Sequence, residues 1–245
     1  MRPDSGPSAL AALEARPGYR VQRVLADRVN FVVEEDGRAS VYGKVYEKPT
    51  LRARLCQRAG RDPGLREAVL LESLGRSGVP VPAVVAGGRL ADGRSFVATR
   101  AVEGALPLDD ALRRGAIRAG ADRRAALVRL ARAVRRLHDA GFVHRDLYLC
   151  HVLLSAGGRL VVIDWGRALK RRRLRWRVKD LAALHASAPP GIVTARDSLR
   201  FLREYLGKRV SLRPWARRVA RKAARYRSHV PRRRGAAPRA AAGVP

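Results

Sequence analysis

The run from His144 to Gly166, HRDLYLCHVLL, SAGGRL and VVIDWG in succession, constrains this chain more than any other stretch. His151–Leu154 reads as a short apolar strand, Ala156-Gly157-Gly158 as a turn, and Leu160–Ile163 as the returning strand. Such a hairpin brings Asp146 and Asp164, 18 positions apart, to one edge of a sheet. In phosphoryl transfer one loop carboxylate orients the attacking hydroxyl, and a second holds the magnesium that carries the nucleotide phosphates. His144, Asp146, His151 and Asp164 stand in the order that chemistry uses.

Upstream, alternation predicts strands at Tyr19–Leu25, Asn30–Glu34 and Ala39–Tyr46, with Glu35-Asp36-Gly37 turning between the last two. A helix is expected from about Pro63 to Arg76, with Leu70, Leu71 and Leu74 on one face, ended by Gly-Val-Pro-Val-Pro. Val84–Gly87 and Ser95–Arg100 complete a strand-rich small lobe with one helix. Gly104 and Pro107 mark a lobe boundary. An amphipathic helix from about Ala121 to Ala140 then buries Leu127, Leu130, Ala131, Val134 and Leu137. Further helices are expected near Val178–Ala186 and Ala195–Leu206. The chain divides into a flexible leader (1–17), an N-terminal nucleotide-binding lobe (18–102), a C-terminal catalytic lobe (103–210) and a basic, helical or disordered tail (211–245).

An apolar content of 47% over 245 residues supplies a core for one large or two-lobed unit. The net charge is +31, and all but six of the 52 basic residues are arginine. Abundant Ala, Gly and Pro beside them indicate a compositional bias that accounts for part of the excess. Beyond Trp165 the only acids are Asp180, Asp197 and Glu204, so the second half favours an anionic partner: a phosphorylated glycolipid, a membrane surface or nucleic acid. Two cysteines, Cys56 and Cys150, give no disulfide framework and fit a reducing cytoplasm. No apolar run is long enough to span a bilayer, and the start has too short an apolar patch for a secretion signal.

Two further residues suit the chemistry. Lys44, in VYGKVYEK on the third predicted strand, would reach phosphate oxygens, and Glu67, in REAVLLESLGRSGVPVP, would pair with it. Glu72 on the same helix is a rival. With Lys44, Glu67 before GVPVP, HRDLYLCHVLL, IDWGRA, RWRVKDLAAL and RFLREYL in place, residues 19–207 resemble the lipopolysaccharide core kinases, the Kdo/WaaP family. HRD-x-Y-x-C-H is far more specific than HRD alone.

The resemblance implies an α+β, two-lobed protein-kinase-like fold: a small antiparallel-sheet lobe with one helix, and a mainly helical large lobe. It implies ATP and Mg²⁺ as cofactors and a lipopolysaccharide core glycolipid as acceptor, with a heptose hydroxyl the expected target. It places the protein in the cytoplasm, peripheral at an anionic inner-membrane surface. It implies that Asp146 accepts the hydroxyl proton, Asp164 binds magnesium, and Lys44 holds phosphates while Glu67 holds Lys44. His151 stands where most kinases have a metal-binding asparagine; since magnesium prefers oxygen, it binds metal, contacts phosphate or fixes the loop. Asp180 would accept backbone N–H groups of the catalytic loop, and Gly166 would supply the unusual dihedral after Asp164.

Two features depart from the wider kinase pattern. No G-x-G-x-x-G covers the phosphates, so the hairpin around Ala26–Val33, with Asn30, must do so. Only about a dozen residues separate Trp165 from Asp180, too few for a peptide-gripping segment. His144, His138 and Cys150 read as packed or structural side chains. Lys170–Arg173 with Arg175 and Arg177 is either a solvated face or an approach for an acidic acceptor. Pro214–Ser228 is either a membrane-surface helix or one packed on the large lobe. Two other readings compete: a kinase acting on another small molecule or a protein, and a catalytically silent basic module binding nucleic acid or anionic membrane. No specific nucleic-acid partner is expected, and the residues set no oligomeric state.

Overall fold

The structure, a computed structural model, describes residues 6–47 and 62–227. Residues 1–5 of the expected leader, Cys56, and 228–245 of the expected tail, with His229, lie outside the described residues.

Five strands form one antiparallel sheet: β1 (Tyr19–Val24), β2 (Arg28–Glu35), β3 (Arg38–Tyr46), β4 (Val84–Arg89) and β5 (Ser95–Arg100), in the order β1-β2-β3-β5-β4. Asp36 and Gly37 both take positive φ, so a two-residue turn joins β2 to β3 and pairs Glu35 with Arg38. Because side chains alternate across a strand, β3 presents two different faces. Val41 and Val45 point one way, into a cluster with Phe31, Val33, Phe96 and Ala98. Lys44 and Tyr46 point the other way. On their side lies helix α2 (Pro63–Arg76), whose Leu70, Leu71 and Leu74 are buried.

The first face is covered by helix α1 (Pro7–Glu14), which buries Ala9, Leu10 and Leu13 against that cluster. Residues 6–17 of the leader expected to be flexible are therefore ordered, and α1 closes the back of the sheet. Three apolar side chains in a short Pro-initiated helix are sufficient, because among the described residues no other element covers this apolar face. Small residues and prolines in the leader give no linear sign of this packing.

The linker passes through β6 (Leu106–Pro107), which pairs with β8 (Val152–Leu154); β8 in turn pairs with β9 (Leu160–Val162). A short helix α3 (Leu108–Arg113) precedes the long helix α4 (Ala121–Asp139). β7 (Phe142–Val143) pairs with β10 (Leu169–Lys170). The rest is helical: α5 (Leu174–Ser187), α6 (Ala195–Leu206) and α7 (Leu212–Arg227). α5 begins four residues before the expected Val178. Arginines interrupt Leu174, Val178 and Leu181, yet these recur at the i, i+4, i+7 spacing of a helix face.

α7 packs on α5, with Val219 and Ala223 buried and Trp215 in contact with the core. Of the two readings for Pro214–Ser228, packing on the large lobe is the one observed. A tail boundary at 211 therefore cuts through the lobe. One hydrophobic cluster runs from Tyr46 and Leu71 through Val152 and Trp165 to Leu202 and Val219, joining the lobes behind the cleft.

Gly43 fixes the register that presents Lys44. It lies opposite Phe31 on β2, and a Cβ there would sit 2.0 Å from the Phe31 ring. Gly43→Ala must therefore displace a fully buried ring. The expected outcome is a loss of about 1–3 kcal/mol in chemical denaturation. An unchanged midpoint would refute the close packing.

Candidate active site

Lys44 is the centre of the cleft. Its Nζ donates to Glu67 Oε1 at 3.0 Å and to Asp164 Oδ1 at 3.0 Å, so one ammonium joins β3, α2 and the end of the β8–β9 hairpin. Burial pulls the Lys44 pKa down, but the two carboxylates outweigh it and the net shift is upward. Asp164 responds in the opposite sense: burial raises its pKa, and Lys44 overcomes that to hold it low. Lysine and aspartate are both charged. Glu67 is buried, and its second oxygen accepts from the Tyr46 hydroxyl. Glu72, the rival, instead faces Arg76 at 3.9 Å.

Asp164 itself adopts the left-handed region (φ 64°, ψ 61°), correcting the assignment of that dihedral to Gly166. Gly166 serves a different need. A Cβ on it would lie 3.1 Å from the Tyr46 hydroxyl and 3.5 Å from Glu67 Oε2. Its missing side chain lets the turn after Asp164 close over the Lys44–Glu67 pair.

Asp146 lies on the loop between β7 and β8. The loop hangs from Asp180 of α5, a fully buried carboxylate that accepts the His144 N–H at 2.7 Å and the Arg145 N–H at 2.8 Å. His138, also buried, meets the same carboxylate through Nε2 at 3.2 Å, while its Nδ1 lies 2.8 Å from the Tyr205 hydroxyl. His144 is buried, donates from Nε2 to the Ile163 carbonyl at 3.0 Å and packs edge-on to Trp165. It ties the loop to the strand that delivers Asp164. Asp180, His138 and His144 are the structural groups the sequence reading took them for, whereas Cys150 is only half-buried.

His151 forms a second tie. Its Nδ1–H donates to the Asp146 carbonyl at 2.8 Å, which leaves Nε2 facing Asp164 Oδ2 at 3.9 Å. The neighbouring Cys150 thiol, followed by the Asp146 carbonyl, pushes its pKa up to about 9 against the effect of burial. Arg167 lies over the Asp146 carboxylate, 3.2 Å from Oδ1 and 3.1 Å from Oδ2. The sequence reading missed Arg167 and Tyr46. Tyr46 was within reach, since it stands two residues from Lys44 on one strand face. Nothing in the linear spacing pointed from Arg167 to Asp146.

Among the described residues no three His, Cys, Asp or Glu side chains converge as a metal cage. Magnesium does not need one: it is usually held by one or two carboxylates together with phosphate oxygens and water. Asp164 fits that demand, because its Oδ2 makes no hydrogen bond among the described residues. Across the ladder from Lys44, Asn30 has a buried Oδ1 with no partner among the described residues, an acceptor at the cleft wall.

A five-stranded lobe with its helix, a helical lobe, and a lysine held between a helix glutamate and the aspartate of the second lobe together define the protein-kinase-like α+β class. Within that class, residues 18–205 match the lipopolysaccharide kinase (Kdo/WaaP) family, and the chain belongs to it. It is 48% identical over 92 residues to the lipopolysaccharide core heptose(I) kinase WaaP of Pseudomonas aeruginosa, covering 34% of each chain. Against the protein of the same name in Escherichia coli K12 it is 42% identical over 94 residues, 35% of this chain and 36% of that one. A 3-deoxy-D-manno-octulosonic acid kinase of Xanthomonas campestris pv. campestris (strain B100) is 32% identical over 130 residues, 53% of this chain and 51% of that one. The chain thus spans about a third to about half the length of the curated relatives it matches.

His144 provides a pH test of the loop anchor. Burial holds its pKa below the ordinary value, so the unfolded chain takes up this proton first as pH falls. The stabilisation is complete above about 6.5 and is lost below it, at no more than about 1.4 kcal/mol per pH unit. Thermal unfolding between pH 7.5 and 5 should show His144→Gln with a shallower acid slope than the parent. Parallel slopes would exclude a buried neutral histidine.

Proposed function

We propose that this protein transfers the γ-phosphoryl group of ATP to a sugar hydroxyl of the lipopolysaccharide inner core. The observation that carries the reading is Lys44 Nζ at 3.0 Å from both Glu67 and Asp164, the arrangement in which kinases hold nucleotide phosphates. In this reading Lys44 binds the phosphate oxygens and Glu67, itself bonded to Tyr46, holds Lys44 in place. Asp164 would hold Mg²⁺, which when bound neutralises charge between the distal phosphates. Asp146 orients the acceptor hydroxyl and takes its proton, an effect of about 10²–10⁴-fold for a positioned base. His151 fixes the loop through the Asp146 carbonyl and turns Nε2 toward Asp164. Arg167 positions the Asp146 carboxylate before the acceptor arrives.

The acceptor follows from two supports. The relatives carry the names of a heptose kinase and an octulosonic acid kinase, both acting on sugars by name. The segment from Asp164 to α5 comprises only residues 165–173, which leaves little to grip a peptide. Heptose is the first expectation, since the heptose kinases match at the higher identities. Octulosonic acid is the second, since that kinase aligns over a longer stretch.

Among the described residues no helix is long and apolar enough to cross a membrane. α7 turns its apolar side to the core and leaves Arg213, Arg217, Arg218 and Arg221 exposed. Contact with an anionic cytoplasmic leaflet would therefore be electrostatic, at about 1 kcal/mol per cation near the surface.

Purified protein with ATP, magnesium and core oligosaccharide should add one phosphate to the oligosaccharide by mass spectrometry. Asp146→Asn should lower the rate at least about 10²-fold with nucleotide binding retained. Arg167→Ala should lower it less, with Arg167→Lys recovering part of the loss. Undiminished transfer by Asp146→Asn, or transfer to a peptide alone, would overturn the assignment.

A further inference from the structure

The basic run after Asp164 divides in two in the folded chain. Arg177 is used up: it pairs with Asp139 Oδ1 at 3.3 Å and donates to the His138 carbonyl at 2.8 Å. Lys170 lies over the Phe142 ring, and Arg171 donates to a neighbouring carbonyl. Among the described residues Arg175 has no such partner. Its guanidinium carbon lies 5.3 Å from the centre of the Trp176 ring, and two more cations share that indole: Arg145 at 5.7 Å and Lys179 at 5.8 Å. Among the described residues, none of the three is within ion-pair distance of a carboxylate.

Three cations on one half-buried indole repel one another, and an aromatic face offsets only part of that cost. The repulsion is felt at Lys179. Burial first, then Arg145 and Arg167, lower its pKa, while Asp146 and Asp180 oppose them. The same residues carry unused donors. Arg145 Nε and Trp176 Nε1 are both shielded from solvent, with no hydrogen-bond partner among the described residues. Arg145 also has φ 75°, a region that non-glycine residues seldom occupy, while Asp180 holds its N–H. Backbone strain of this kind persists where surrounding structure enforces it, and it gathers at ligand sites.

The place matters as much as the charge. Arg145 immediately precedes Asp146, and Lys179 feels the charge of both Asp146 and Arg167. The cluster therefore borders the catalytic carboxylate. An aromatic ring rimmed by cations suits a sugar that bears an anion. The indole covers the apolar C–H face of the ring, and the cations take the charge.

We propose that Trp176, Arg145, Arg175 and Lys179 form an acceptor subsite for an acidic sugar, one carrying a carboxylate or phosphate next to the hydroxyl presented to Asp146. This rests on the phosphotransfer reading for its placement, but not for its binding chemistry. The anion relieves the repulsion among these cations, which a neutral sugar cannot do; of the two acceptors above, the subsite therefore favours the octulosonic acid over an unsubstituted heptose.

Binding can be read without turnover, from tryptophan emission and calorimetry on the full chain. The probes are 3-deoxy-octulosonic acid, its methyl ester, a hexose 6-phosphate, the neutral hexose and inorganic phosphate. The acid or the sugar phosphate should bind at least about tenfold tighter than the ester and the neutral sugar, and the tighter of the two names the anion. Arg175→Ala, at an exposed position, and Lys179→Gln should each weaken it about tenfold, while Lys179→Arg retains it. In turnover, the same two variants should raise the acceptor KM and leave the ATP KM unchanged. Equal binding of ester and acid, unchanged binding by both charge-removing variants, or inorganic phosphate binding as tightly as the acidic sugars would each overturn the subsite. Asp146→Asn removes a negative charge beside the subsite, so it should bind the acidic sugar at least as tightly as the parent while losing transfer. A failure of transfer therefore counts against the kinase reading and a failure of binding against the subsite.

Discussion

One ammonium group holds this fold in its working shape. Lys44 leaves the small-lobe sheet and meets a carboxylate from the helix behind it and another from the opposite lobe, each at 3.0 Å. A charge placed this deep is costly unless paired, and removing one partner leaves the other stranded. The pairing therefore constrains all three elements at once. Gly43 allows Phe31 to pack behind Lys44, Tyr46 holds the far oxygen of Glu67, and Gly166 admits both beneath the turn after Asp164. Two carboxylates keep the lysine charged and aimed, as the proposed phosphate-binding role requires.

Asp180 does for the catalytic loop what Glu67 does for Lys44. It sits at zero exposure with two backbone N–H groups and a histidine around it, so its charge is met by donors rather than by a free cation. His144 then links that loop to Ile163, and His151 links it to the Asp146 carbonyl. Asp146 and Asp164 are thereby both tied to the folded frame. Asp146 is positioned through its backbone and Asp164 through its neighbour in the strand.

Much of this was legible in advance. Period-two alternation and turn residues located the strands of the small lobe, and HRD-x-Y-x-C-H with IDWG located both carboxylates. Lys44, Glu67 and Asp180 could be picked out because each sits in a local pattern. What escaped notice depended on shape or on distance along the chain. α1 is covered by a sheet face whose need for a partner shows only in three dimensions. The start of α5 was masked by arginines between its apolar positions. Asp164 carries the left-handed backbone that glycine would have been expected to carry. The contact of Arg167 with Asp146 spans two loops whose relative placement no spacing rule fixes.

The charge imbalance takes on a sharper meaning once the acids are placed. Only three carboxylates follow Trp165, and each is committed. Asp180 holds the loop, Asp197 closes a capping box with Thr194 at the start of α6, and Glu204 pairs with Arg132. No acid is left over in that half to neutralise the cations around Trp176. Compositional bias can raise the number of arginines, but it does not gather three cations on one indole beside the carboxylate that would activate a hydroxyl. Where the fold has spent its acids on structure, the remaining positive charge beside Asp146 awaits an anion from outside the chain. That makes the acceptor's own charge part of how it is recognised.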